Sequence, residues 1–271
     1  MDLVFFYIAV FLYFLGILHY LFYLLSKRQG VASVATLVTL VGFISHSAAL
    51  LLRGMEAGHA PFSNLFETLS FFSWAVILVH LLAAWRYKLP ILGVFMLPLS
   101  FIFISVALSL PKKIEQLVPA LKSYWIWFHV SLCILGYAAF ALIFVVGVLY
   151  LLQERQLKSK HLGSIYFRLP PLEVLDEIGY RFLTYGFPLM TLGIVTGAIW
   201  AEYAWGSYWS WDPKETWSLI TWLIYAALLH SRLIAGWRGK KAAVISIIGF
   251  CVVIFTFLGV NLLLTGLHAY N

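Results

Sequence analysis

The chain has 271 residues, of which 63% are apolar and 11% charged, with a formal net charge of +7 and a mean hydropathy of +0.94. A soluble domain carries roughly 25% charged residues, so this composition excludes a water-facing globule and implies a protein solvated by lipid. The basic residues gather in alternate loops, as the positive-inside rule describes, and this accounts for the charge without a nucleic-acid partner. Apolar runs of spanning length, about 20 residues each, predict helices at 3–25, 32–53, 64–85, 90–110, 124–152, 182–204, 213–236 and 243–267. The expected fold is all-α, a single integral membrane domain over 1–271 with eight transmembrane helices.

The first run, about Leu3 to Leu25, is too long and too aromatic for a cleaved leader and is expected to be retained. The first gap is basic through Lys27 and Arg28, the third through Arg86 and Lys88, and the seventh through Arg232, Arg238, Lys240 and Lys241. With these and the long fifth gap in the cytoplasm, both termini lie on the outer side. The fourth gap, with Lys112, Lys113 and Lys122, argues the other way. In the second gap Asn64 or Ser63 is expected to cap the third helix, with Glu67 near the reciprocal position. In the fifth, Leu172, Leu175, Ile178 and Phe182 come after Pro170-Pro171 at helical spacing and predict a short interfacial helix before the sixth span. Cys133 and Cys251 each stand alone in apolar runs and read as packing residues. With no C-x-x-C present, thiol–disulfide chemistry is not expected.

The most unusual stretch is WAEYAWGSYWSWDPKETWSLITW, residues 200–222, with tryptophans at 200, 205, 209, 211, 217 and 222. Such density in one loop suits a flat apolar surface for a planar aromatic ligand. An interfacial aromatic belt is the alternative, and composition alone favours neither. Asp212, Pro213 and Glu215 have the spacing of an N-cap, a first helical residue and a capping-box acid. Lys214 beside them is a candidate partner for an anionic group such as a carboxylate.

The run WGSYWSWDPKETWSLITWL resembles the tryptophan-rich WWD signature of the haem-handling superfamily. Its Pro-Lys-Glu-Thr-Trp continuation is similar to the CcsA (ResC) family of System II cytochrome c biogenesis proteins. GHAPFSNLFETLSFFSW at 58–74, LEVLDEIGYRFLTYGFPLMTLGIVTGAIWAE at 172–202 and LLHSR at 228–232 also resemble that family. The related CcmC and CcmF proteins share the shorter tryptophan core and differ in the residues after it.

Eight histidines are present, and a haem site takes one or two axial ligands. His129, near the start of the fifth span, and His268, just past the eighth, fall on the same side as the tryptophan segment in this topology. Either alone is better explained as an interfacial histidine bonded to water. As a pair they match the family's external histidines, and the resemblance implies axial ligands for haem b at an outer site. Trp205, Trp209, Trp211, Asp212 and Trp217 would form its platform. His230 resembles the family's transmembrane histidine, whose second ligand is expected from a CcsB-like partner; a helix–helix hydrogen bond is the alternative. His19, His46 and His80 read as helix-packing residues, and His59 and His161 as solvated ones. Glu67 reads as structural.

The resemblance implies presentation of haem for thioether attachment to an apocytochrome carrying C-x-x-C-H, within a synthase complex. Passage of haem through the chain is a further expectation from the family. The membrane would be a bacterial inner membrane or a thylakoid. No Ser-His-Asp set, carboxylate cluster or phosphate loop accompanies these residues, which agrees with a presenting role. A HemX-like regulatory subunit of the same superfamily is the alternative, and a small-solute transporter a further one. The first lacks the full tryptophan signature; the second needs discontinuous or charged intramembrane helices.

Overall fold

The computed structural model describes residues 1–26, 28–114, 123–159 and 166–264. Among them the protein is helical, with no strand. The long helices are α1 (Asp2–Ser26), α2 (Gln29–Ala57), α3 (Leu65–Tyr87), α4 (Ile91–Leu108), α5 (Tyr124–Ser159), α6 (Leu172–Trp205), α7 (Pro213–Leu233) and α8 (Lys240–Ile254). The last continues through a π-helical turn, Phe255–Gly259, into Val260–Leu263. Seven of these segments are long and apolar enough to cross a membrane. The exception is α7, whose 21 residues would reach about 30 Å but whose first turns are rich in Trp, Ser, Thr and charge. The all-α polytopic architecture expected from composition is the one observed.

The boundaries differ where local chemistry overrides hydropathy. The first turns of α6 are not a separate interfacial helix, because Leu172–Trp205 is a single helix of 34 residues. Pro171 stands just before it, where a missing N–H costs nothing, and no proline lies between Leu172 and Phe182. The second helix runs on to Ala57, which moves Arg53 from the expected end of the helix to a buried position one turn inside it.

The chain divides into two compact units, Met1–Val118 and Pro119–Asn271. In the first, α1 to α4 form a ring in which each helix packs on the next and α4 returns to α1. Its interior is polar at several levels. Tyr13 Oη bonds His46 Nδ1 (3.3 Å), and His46 Nε2 bonds Ser70 Oγ (2.8 Å). Tyr20 Oη meets His80 Nε2 (3.2 Å) and Thr36 Oγ1 (3.0 Å). His46 and His80 are thus interhelical clamps of the kind membrane bundles use, and His19 bonds the Leu15 carbonyl of its own helix. Near one end, buried Arg53 donates to Glu67 Oε1 (2.7 Å), Asp2 Oδ2 (3.1 Å) and the Lys112 carbonyl (3.0 Å). Glu67 Oε2 accepts from Ser63 N (2.8 Å) and Ser63 Oγ (2.7 Å), and Asn64 Oδ1 caps α3 through Glu67 N (3.0 Å). Glu67 is therefore structural, as its position suggested, and its reciprocal bond goes to Ser63 rather than to the cap residue.

In the second unit α5, α6, α7 and α8 close in the same ring order. The α5–α6 seam is set by glycines, as close helix approach in lipid requires. A Cβ at Gly136 would lie 3.1 Å from Met190 N, and one at Gly193 would lie 2.6 Å from Cys133 Sγ. At the far end Asp176 receives Arg232 through both oxygens (2.9 and 2.8 Å) and also Gly239 N (2.8 Å). That clasp ties the start of α6 to the α7–α8 turn.

Candidate functional site

At the opposite end of this unit lie the start of α5, the end of α6, the start of α7 and the end of α8. Helix α6 stops at Gly206, whose left-handed backbone (φ 73°) is one that glycine adopts at no steric cost. Asp212 then caps α7: its carboxylate accepts from Lys214 N (3.0 Å), with Pro213 at the first helical position. Glu215 completes the capping box and does more. Its Oε2 accepts from Asp212 N (3.1 Å), Ser210 N (2.8 Å) and Ser210 Oγ (3.2 Å), so one buried carboxylate gathers the loop around itself. Between these bonds Trp211 takes a positive φ of 60°, uncommon for a bulky residue, and is 68% exposed. Replacing Glu215 by alanine orphans several loop donors. It is expected to cost about 1–3 kcal/mol and to weaken the near-ultraviolet circular dichroism of the tryptophans while the far-ultraviolet spectrum is kept.

The six tryptophans do not share one loop. Trp200 and Trp205 belong to the last turns of α6, Trp209 and Trp211 to the loop, and Trp217 and Trp222 to α7. Nor do they form a flat sheet. Trp200 and Trp205 meet edge to face (4.8 Å, 73°), as do Trp209 and Trp211 (5.8 Å, 87°), the arrangement aromatic quadrupoles prefer. Trp217 packs on Phe255 (4.4 Å). Trp222 turns away to Phe187 and donates to Thr191 Oγ1 (2.9 Å). The result is a set of faces and edges at several angles. The indole N–H of Trp209 is buried with no acceptor among the described residues.

His129 sits one turn into α5, half-buried. Its Nδ1 donates to the Gly193 carbonyl (2.7 Å), and its ring runs nearly parallel to that of buried Trp200 (6.2 Å, 15°). Because a carbonyl only accepts, the proton is on Nδ1 and the lone pair on Nε2. Metal-ligating histidines are oriented in this way, by a backbone carbonyl on the other ring nitrogen. Cys133 Sγ lies 3.8 Å from the same Nδ1. Gly197 makes room for the ring, since a Cβ there would fall 2.5 Å from Nδ1.

Lys214 leaves the α7 cap and donates to Asn261 Oδ1 on the end of α8 (2.8 Å), within electrostatic reach of Cys133 and Asp212. Asn261 comes just after the π turn, whose Thr256 Oγ1 bonds Thr221 Oγ1 (2.9 Å) and the Trp217 carbonyl (3.2 Å). Such turns occur often at functional sites, and this one lies against Trp217.

The second unit thus brings together His129, Trp205, Trp209, Trp211, Asp212 and Trp217. His268 lies outside the described residues, beyond Leu264, as does His161. His230 is elsewhere, in the last turn of α7 near the Asp176–Arg232 clasp, with an exposed side chain. His59 in the first unit is half-buried, with Nδ1 on the Ala60 carbonyl (2.9 Å). No three His, Cys, Asp or Glu side chains gather as a metal site among the described residues, so the candidate ligands are single imidazoles. Sequence reasoning missed Gly193 and Gly197 as the seat of His129, and Asn261. The spacing of Gly186, Gly193 and Gly197 on one face of α6 is the signal for the first two.

The family described as Cytochrome C assembly protein matches residues 62–268. Among curated relatives, the chain is 38% identical over 265 residues to the cytochrome c biogenesis protein CcsA of Guillardia theta, covering 91% of this chain and 88% of that protein. It is 40% identical over 270 residues to CcsA of Synechococcus sp. (strain CC9605), with 90% and 89% covered. It is 42% identical over 273 residues to CcsA of Microcystis aeruginosa, with 83% of each covered. Among solved structures, the cytochrome c haem lyase CcmF has the same fold, with a TM-score of 0.65 at 18% identity. The alignment takes in 95% of this chain and 46% of that one.

Proposed function

The chain belongs to the cytochrome c assembly protein family, and from that premise we propose that it holds haem b beside the tryptophan segment and presents it for attachment to an apocytochrome c. The observation that carries this is the imidazole of His129, fixed through Nδ1–H on the Gly193 carbonyl, the way metal-ligating histidines are oriented. Its nearly parallel neighbour Trp200 and the rings of Trp205, Trp209, Trp211 and Trp217 supply apolar faces and edges for a planar macrocycle. His268 is the proposed second axial ligand and lies on the same terminal segment as Asn261. Asp212 shapes the platform through its cap rather than by touching ligand.

Haem is substrate here. Each cysteine thiol of the C-x-x-C-H client adds S–H across a vinyl C=C, sulfur to one carbon and hydrogen to the other, with no net oxidation. This chain's residues contribute position and control of the iron's ligands: Gly193 orients His129, and Glu215 fixes the loop that bears Trp209 and Trp211. The exposed imidazole of His230 suits a ligand shared with a second, CcsB-like membrane subunit. The site is proposed to face the outer side of a bacterial inner membrane or the thylakoid lumen.

The test is the absorption spectrum of the detergent-purified protein titrated with ferrous haem, beside His129→Ala. A Soret band that shifts or is lost in the variant is expected. Identical spectra, with cytochrome c maturation intact in cells carrying His129→Ala, would return the chain to a regulatory role.

A further inference from the structure

Two shielded arginines meet carboxylates: buried Arg53 binds Asp2 and Glu67, and half-buried Arg232 binds Asp176. Lys214 does not. It is half-buried among the helix ends, and its hydrogen-bond partner is the neutral amide oxygen of Asn261 at 2.8 Å. The nearby acids are committed elsewhere. Asp212 accepts from Lys214's own backbone N–H, and Glu215 Oε2 takes three loop donors. An ammonium has three N–H donors, so one amide oxygen leaves it short of acceptors, with no carboxylate oxygen in contact with it among the described residues. A shielded charge in that state calls for an anion. The Trp209 indole N–H is a second buried donor in the same segment with no acceptor among the described residues. At the end of the bundle that carries His129, Lys214 and the Trp209 indole are therefore two donors short of acceptors, the complement of a carboxylate.

We propose that Lys214 receives a propionate carboxylate of the bound tetrapyrrole, so that the propionate edge is anchored and the vinyl groups, on other pyrrole rings, are left for the client's thiols. The inference rests on the haem reading and gives it an orientation. Asn261 is a positioning residue: it holds the ammonium in place through Oδ1, and its own Nδ2 is tied to the Phe257 carbonyl (2.9 Å). The carboxylate then supplies the anionic partner that the ammonium does not touch among the described residues, and no covalent change is involved.

The test compares haem with its dimethyl ester, which has the same iron, vinyls and ring but no carboxylates. Each is titrated into the detergent-purified chain and followed at the Soret band. Wild type is expected to bind haem about tenfold or more tighter than the ester, the yield of one charge-assisted hydrogen bond. Lys214→Gln should bind the two alike, and Lys214→Arg should keep the preference. A preference of the same size in Lys214→Gln, or none in wild type, overturns the inference. The wild-type comparison needs no variant to fold. A Soret response that His129→Ala abolishes, together with no discrimination between haem and ester, removes Lys214's role and leaves the haem site standing. No Soret response to either compound overturns both.

Discussion

Arg53→Ala protein is expected to lose about 3–5 kcal/mol of stability in its first unit, because removing one member of a buried ion network leaves the others uncompensated. The guanidinium is the hub: Asp2 and Glu67 converge on it, and two further bonds reach the Lys112 and Lys113 carbonyls. Without it two shielded carboxylates face each other and the segment after α4 loses its tether. Lysine in its place could not make these bonds in the same planar arrangement. Denaturant or thermal unfolding in detergent, monitored by circular dichroism, checks this. A change below about 1 kcal/mol, the range of exposed pairs, would mean that the cluster is solvated in the membrane-bound protein.

Gly197→Ala should weaken haem binding about tenfold or more without loss of helix, since crowding a packed seam costs about 1–3 kcal/mol. The added methyl would lie 2.5 Å from His129 Nδ1 and 2.6 Å from Cε1. The imidazole has little room to yield, with the Gly193 carbonyl on its Nδ1 and Trp200 alongside. The expected result is a variant whose far-ultraviolet spectrum matches wild type and whose Soret titration approaches that of His129→Ala. Wild-type affinity would show that the ring moves aside and that its bond to Gly193 is dispensable.

Much of this architecture is legible in the sequence because lipid solvation writes itself into composition. The hydrophobic runs give the helices, and Asp212, Pro213 and Glu215 announce the start of α7 by their cap chemistry alone. Arg53 escapes such reading, since a lone cation at the end of an apolar run looks like a loop residue until its partners Asp2 and Glu67 are seen in space. The interfacial helix expected before α6 fails for a related reason: amphipathic spacing identifies the face of Leu172 to Phe182 but not whether the helix stops. The tryptophan segment is visible as density, whereas its angles, its division among two helices and a loop, and the departure of Trp222 into the seam depend on packing. His129 is recognisable as a residue type in the right place. The features that orient it, the Gly193 carbonyl and the space at Gly197, show in the sequence only as glycines spaced along one face of α6.

The π turn at Phe255–Gly259 bears on anyone who attaches probes to this protein. A helical wheel drawn from Lys240 at about 100° per residue describes α8 up to Ile254. The wider turn interrupts that count, so positions from Val260 onward belong to a second wheel offset from the first. A spin label or photo-crosslinker aimed at the surroundings of Asn261 by extrapolating the first wheel would sample the wrong neighbours. Counting must begin again at Val260, with Asn261 and its bond to Lys214 as the fixed mark.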